Sequence, residues 1–232
     1  MKIKYGMILA AGLGTRMQPI TLKTPKPLLK IGNNSLLERS INLLANHGVE
    51  EIVINVHHLA SQIKEFLQGF NINIKISISN EENLLLDTGG GVKQGTKHFN
   101  KNPFFIINPD TLWSDNYLEE IKILEKLYFR YCKPCLLLVE KKLSLDNTFK
   151  GDFNLKESKV SRDKNNNFIF TGLQIMNRQY FEKVNDKVFS MNKIWNKLIL
   201  EKDLIGLESK QKFYHLNTIE MYKKINDLKI ID

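Results

Sequence analysis

Cysteine is scarce in this chain: two in 232 residues, Cys132 and Cys135, arranged as Cys-Lys-Pro-Cys. No second Cys or His pair lies at zinc spacing. The motif also closes a helix-like stretch ahead of an apolar strand, whereas a redox Cys-x-x-Cys follows a strand and opens a helix. Two structural thiols of a reducing compartment are therefore expected. Long apolar runs are missing as well. None approaches the roughly 18 residues that cross a bilayer, and the run after Lys2 and Lys4 is too short for a secretory leader, so a cytoplasmic chain with no membrane partner is expected. Internal repeats, an appended hexapeptide β-helix and an interdomain linker are all absent from the pattern. Acidic residues are the minority charge, 25 against 34 Lys and Arg, which leaves a net +9. That surplus suits anionic ligands. It is scattered among Asn and Ile and accompanies no nucleic-acid motif, so it reads as a solvated lysine-rich surface with no nucleic-acid partner.

What the chain does have is a regular alternation. Strand-like runs at Met7–Ala10, Glu51–Val56, Ile72–Ile78 and Phe104–Asn108 alternate with helical periodicity at Leu36–His47, Leu59–Leu67, Gly91–Phe99 and Leu118–Tyr131. Gly48 stands where the first helix should stop. This order predicts a single-domain α/β fold, a mostly parallel sheet with helices on both faces and ligands bound beyond the carboxyl ends of the strands. Residues 1–131 would form mainly a nucleotide-binding half, and 132–232 the half that faces the second substrate. The second half is less regular. It reads as strands at Leu136–Val139, Phe153–Leu155 and Phe168–Met176, a helix at Asn192–Leu200, a short strand at Lys212–Leu216 and a last helix.

The chemistry concentrates in residues 10–30. Ala10, Ala11, Gly12 and Gly14 carry little side chain, so backbone N–H groups can approach an anion. Thr15 and Arg16 follow, the latter a planar and permanently charged fork for phosphate oxygens. Lys26 lies between Pro25 and Pro27, which fix its backbone. Together these describe a polyphosphate cradle. It is neither the phosphate loop that ends in Gly-Lys-Ser/Thr nor the dinucleotide fingerprint, whose third Gly is replaced by Met17. Asp110, just past a strand, suits a hard divalent cation beside those phosphates. Asp87-Thr-Gly-Gly-Gly91 is a second small-residue element, with Asp87, Gly89 and Gly90 able to meet a nucleoside. His57 and His58 have no identifiable partner and are read as non-catalytic.

Gly-Leu-Gly-Thr-Arg followed by Thr24-Pro-Lys-Pro-Leu28 resembles the sugar-1-phosphate nucleotidyltransferases, and within them the bacterial N-acetylmuramate 1-phosphate uridylyltransferases. Asp87-Thr-Gly-Gly-Gly91 is similar to their Glu-Thr-Gly-Gly-Gly, Lys150-Gly-Asp-Phe153 to their Arg-Gly-Asp-Phe, and Phe170-Thr-Gly-Leu173 to a Phe-Ser-Gly stretch. Phe213-Tyr-His-Leu-Asn-Thr218 matches a Trp-Val-Asp-Val-Gly-Thr segment. The resemblance implies a Rossmann-like, mixed, mostly parallel sheet of the nucleotide-diphospho-sugar transferase type. It implies Mg²⁺, with Mn²⁺ as an option, held by Asp110 and by the residue at position 215. It also places Asn108, Lys150, Asp152, Thr171 and Gly172 against a sugar phosphate. Two departures stand out. Pro109 replaces a Gly, and His215 replaces the second carboxylate, an imidazole that suits Mn²⁺ or Zn²⁺ better than Mg²⁺.

The reaction implied is attack of a sugar 1-phosphate on the α-phosphorus of a nucleoside triphosphate, with UTP and N-acetylmuramic acid 1-phosphate as the expected pair, in recycling of cell-wall sugars. Arg16 would meet the β- and γ-phosphates and Lys26 the α-phosphate. A mannose-1-phosphate guanylyltransferase, a choline-phosphate cytidylyltransferase and a silent nucleotide-sugar-binding regulator are the alternatives, the last favoured by Pro109 and His215. The oligomeric state is not legible in the sequence.

Overall fold

The computed structural model of the chain describes residues 1–228. Strand β1 (Tyr5–Leu9) is followed by a small hairpin of β2 (Lys30–Ile31) and β3 (Asn34–Ser35), then α1 (Leu36–His47), β4 (Glu51–Val56), α2 (Ala60–Gly69) and β5 (Lys75–Asn80). Next come α3 (Asp87–Gly95), β6 (Pro103–Ile107), α4 (Leu118–Tyr131) and β7 (Cys135–Glu140). The rest supplies the hairpin β8 (Asn154–Lys156) and β9 (Lys159–Ser161), the long β10 (Phe168–Asn177), the single turn α5 (Gln179–Glu182), α6 (Asn192–Leu200), β11 (Ile205–Ser209) and α7 (Ile219–Asp227).

Nine strands make one sheet in the order β5-β4-β1-β6-β10-β7-β11-β9-β8. β5, β4, β1 and β6 run parallel, and β7 pairs with β11 in parallel. β10 lies antiparallel between β6 and β7. The sheet is mixed and mostly parallel, as the βαβα alternation predicts, and the chain is a single α/β domain. Successive side chains of a strand point to opposite faces, so strands buried on both sides are apolar at most positions. Ile8, Ile54, Phe105 and Leu137 pack on one face with Leu37, Ile41 and Leu44 of α1, Ile63 of α2 and Leu124 of α4. Their neighbours Met7, Val53, Phe104, Ile106 and Leu138 pack on the other with Val92 of α3 and Ile194 and Leu198 of α6.

Helix boundaries follow local chemistry. Ser35 caps α1 by accepting from the Glu38 backbone N–H while the Glu38 carboxylate accepts from Ser35 N–H, a reciprocal box that satisfies two end donors. Gly48 ends that helix in the left-handed region. Several expected boundaries shift. β5 begins at Lys75 rather than Ile72, and α3 begins at Asp87 rather than Gly91, with Lys97–Phe99 a separate short turn. The strand expected over Lys212–Leu216 is reduced to isolated bridges, Ser144 with Phe213 and Thr111 with His215, because its neighbours are loops rather than a strand. β11 was not anticipated. None of the described helices is long and apolar enough to cross a membrane.

Candidate active site

The strand β1 delivers residues 10–17 to the carboxyl edge of the parallel strands. Gly14 takes φ +64°, and a Cβ there would lie 2.9 Å from Thr21 Cγ2. The hydroxyl of buried Thr21 donates to the Gly14 carbonyl at 2.8 Å, and the Met17 N–H donates to the same oxygen at 2.9 Å. His58 closes the chain of contacts by donating from Nε2 to the Thr21 carbonyl at 2.7 Å. The loop is thus pinned from beneath, with Met17 buried as its anchor and Arg16 exposed at the rim.

Below it, buried Pro25 and Pro27 set the turn from which Lys26 reaches Asp110, Nζ to Oδ2 at 2.7 Å. These side chains are 13% and 23% exposed, so the pair sits well out of solvent. Asp110 follows β6 and is tied to the far end of the chain: its carbonyl accepts from Leu216 N–H at 2.8 Å, and Thr111 bridges His215. Burial works against the charge on Asp110. The field of His215 when protonated, that of Lys26 and the Lys26 hydrogen bond outweigh it, so its carboxyl stays well below the usual carboxylate range. Burial in turn pushes the proton affinity of His215 below the usual histidine range, against the pull of Asp110. At neutral pH Lys26 is therefore the cation that holds Asp110. His215 Nε2 lies 3.6 Å from Asp110 Oδ2, too far for a hydrogen bond.

Three buried polar atoms here have no protein partner: Asp110 Oδ1, Asn217 Oδ1 and His215 Nδ1. Uncompensated buried polar atoms are costly and mark places where a ligand is expected. Among the described residues no cluster of three or more His, Cys, Asp or Glu could cage a metal. Mg²⁺, however, is commonly bound by one or two carboxylates with waters and substrate phosphates, and the open Asp110 Oδ1 fits that mode.

The cleft over these residues has a volume of about 530 Å³. It brings together Ala10, Ala11, Gly12, Gly14, Thr15, Arg16, Lys26, Asp87, Asn108 and Asp110, all anticipated as site residues. Other anticipated groups have different employment. The Ala10 N–H donates to Asn55 Oδ1 at 2.7 Å, so it is not open to a phosphate. Gly89 and Gly90 donate to the Phe189 carbonyl at 2.8 and 3.0 Å, and their missing side chains leave room for Phe189 and the Lys187 carbonyl. These glycines pack α3 against residues 187–189 and do not line the cleft; a carbonyl, not an anion, sits at the helix start.

Thr171 is buried, donating to the Leu137 carbonyl, and Gly172 holds φ +96° within a β10 irregularity, close to Asn108. The Gly172 carbonyl accepts from Asn108 N–H at 2.8 Å. Lys150 is exposed and outside the cleft lining, and the Asp152 carboxylate accepts from Phe170 N–H at 2.9 Å. His215 likewise does not line the cleft, whereas Asn217 does. Sequence reasoning missed Asn55 and Glu81. Asn55 bonds both Ala10 and Glu81, whose other carboxylate oxygen accepts from Leu86 N–H at 3.0 Å. A polar residue inside the apolar run Ile52–Val56 was the available signal.

Positive charge over an anchored carboxylate suits transfer between substrates that are already anionic. Fold and cleft together suit an enzyme that acts on phosphorylated substrates. The Nucleotidyl transferase family model matches residues 5–132, more than half of the chain, which belongs to that family. It is 27% identical over 221 residues to the N-acetylmuramate alpha-1-phosphate uridylyltransferase of Caulobacter vibrioides, covering 92% of this chain and 91% of that protein. It is 33% identical over 182 residues to the protein of the same name from Neisseria meningitidis serogroup B, covering 77% of each. A solved UDP-glucose pyrophosphorylase complexed with UDP-glucose shares the fold, with TM-score 0.81 at 20% identity over 98% of both chains.

Proposed function

We propose that this nucleotidyltransferase joins a sugar 1-phosphate to a nucleoside triphosphate, releasing pyrophosphate, with UTP and N-acetylmuramic acid 1-phosphate as its substrates. The observation that carries the reaction is the Lys26–Asp110 pair beneath the Gly12–Arg16 loop, with one Asp110 oxygen left open. The substrate pair is supported by similarity to two uridylyltransferases over most of the length of each.

A phosphate oxygen of the sugar 1-phosphate forms a bond to the α-phosphorus while the bond from that phosphorus to the bridging oxygen of the β-phosphate breaks. Pyrophosphate leaves in line, and no proton has to be removed from the nucleophile. The enzyme's task is to hold two anions together and to receive charge on the leaving group. Arg16, free at the rim, is suited to the β- and γ-phosphates. Lys26, restrained by its prolines, is suited to the α-phosphate. Gly12 presents backbone next to open space, where a side chain would meet nothing within 4 Å. Asp110 would hold Mg²⁺ or Mn²⁺, which when bound would neutralise phosphate charge.

Pyrophosphate release from UTP, GTP, CTP or dTTP against a panel of sugar 1-phosphates tests this reading. Release with UTP and N-acetylmuramic acid 1-phosphate is expected. Release with another pair would replace the substrates, and silence across the panel would overturn nucleotidyl transfer.

A further inference from the structure

We propose that Asn217, rather than His215, is the second protein ligand of the divalent cation, and that the cation is held only together with the nucleotide. The inference rests on the nucleotidyl-transfer reading and adds to it a ligand and a binding order.

Four observations converge on Asn217. It is 8% exposed and lines the same cleft as Asp110. Its Nδ2 donates to Asp146 Oδ2 at 2.8 Å. A carboxylate can only accept, so this contact fixes which end of the amide is which and leaves Oδ1 as the free end. That Oδ1 is buried without a protein partner, as is Asp110 Oδ1. The two residues are also tied in space, because Leu216 N–H, one residue before Asn217, donates to the Asp110 carbonyl.

Asp146 is a firm support. It is buried, and its Oδ1 accepts from the Thr148 N–H at 2.9 Å and the Thr148 hydroxyl at 2.6 Å. Asn217 is therefore locked by a residue that itself stands outside the cleft lining.

His215 is placed differently. Its ring stacks on Phe213 with an interplanar angle of 17° and meets Phe149 edge-on. Its Nε2 faces the Asp110 oxygen that Lys26 already occupies, and its Nδ1, although also without a protein partner, belongs to a ring outside the cleft lining that Asn217 and Asp110 share. Position 215 thus packs against Phe213 and Phe149, and the ligand role passes to position 217.

The donor set of one carboxylate oxygen and one amide oxygen is all-oxygen, which suits Mg²⁺ and other hard cations. It also carries a single negative charge, and Lys26 lies against that same carboxylate. So little charge holds a divalent cation weakly, and the phosphate oxygens of the nucleotide must complete its shell.

Mn²⁺ titration followed by electron paramagnetic resonance tests this, with and without the α,β-methylene analogue of UTP, and with that of GTP as a second arm. Mn²⁺ is expected to bind the wild type only when an analogue is present. Asn217→Ala should weaken that binding about tenfold or more, while His215→Gln leaves it unchanged. Asn217→Asp should bring measurable Mn²⁺ binding to the nucleotide-free protein, a gain that misfolding cannot imitate. Equal Mn²⁺ affinity in wild type and Asn217→Ala, or its loss in His215→Gln, would overturn the inference alone. Failure of both analogues to bind the wild type would overturn the nucleotidyl-transfer reading, and the inference with it.

Discussion

Lys26→Met keeps the aliphatic stem and removes the charge. Asp110 Oδ2 then loses its 2.7 Å partner, Oδ1 has none to begin with, and the 3.6 Å contact to an uncharged His215 does not compensate. Removing one member of a buried pair costs about 3–5 kcal/mol. With the two side chains 13% and 23% exposed, water reaching the cleft sets the loss at the lower end, about 3 kcal/mol. The double variant Lys26→Met/Asp110→Asn leaves no orphan charge and should return to within about 1 kcal/mol of wild type. The sign with pH is also fixed. In the wild type the carboxyl of Asp110 is held low, so the pair stabilises above the ordinary carboxylate range and its contribution is lost as pH falls through the depressed value. In Lys26→Met the Lys26 field and hydrogen bond no longer oppose burial, so the Asp110 carboxyl is held less low than in the wild type. Protonation of His215 toward acid pH restores an opposite charge beside it, so the penalty shrinks as pH falls. Urea unfolding of the wild type, both single variants and the double variant, followed by circular dichroism at pH 7.5 and 5, reads this directly. A double variant no more stable than Lys26→Met would refute the reasoning.

Arg16→Met should lower turnover by about 10²–10³ with an unchanged unfolding midpoint, since Arg16 is exposed; wild-type turnover would remove Arg16 from phosphate binding. Gly14→Ala forces a left-handed backbone and a 2.9 Å contact with Thr21, and thermal unfolding should show a cost of about 1–3 kcal/mol. Burial lowers the proton affinity of His215, so below about pH 6.5 the unfolded chain takes up a proton that the folded one refuses, and stability falls. His215→Gln should flatten that loss in unfolding measured from pH 7.5 to 5, and an unchanged slope would exclude His215 as its source. Iodoacetamide should add one label per native chain, at exposed Cys132. Buried Cys135, whose thiol is pushed up by burial, should react only after unfolding, as intact mass will report.

The parallel core was legible because it is written locally. Strands buried on both faces are apolar at most positions, and α1 carries its own stop and start in Gly48 and the Ser35–Glu38 box. The cleft was legible where small residues and fixed cations share one short segment, as in residues 10–30. What failed was whatever depends on a distant neighbour. β11 hides because Gly206 and Glu208 interrupt its apolar run, while its buried partner β7 supplies the hydrophobicity. The Phe213–Leu216 segment buries both end residues and looks like a strand, but the backbone beside it is loop. Gly89 and Gly90 announce room without naming the occupant, and Phe189 lies far along the chain. Asn217 stands where the resembled Trp-Val-Asp-Val-Gly-Thr segment has its Gly, and only Asp146 shows which way its amide points.

The strap formed by residues 213–217 has a consequence for how the protein is made. A chain emerging from the ribosome exposes the glycine loop, Lys26 and Asp110 early, and every nucleotide motif is present before residue 132. Yet the bonds that fix the floor, Leu216 to Asp110 and Tyr214 to Leu112, come from residues made long after those motifs. Until they arrive Asp110 has no backbone anchor and Asn217 does not exist. Chains that stop before residue 213 would therefore carry the motifs without the finished site, and nucleotide turnover would begin only once that segment has been made and has folded against Asp110.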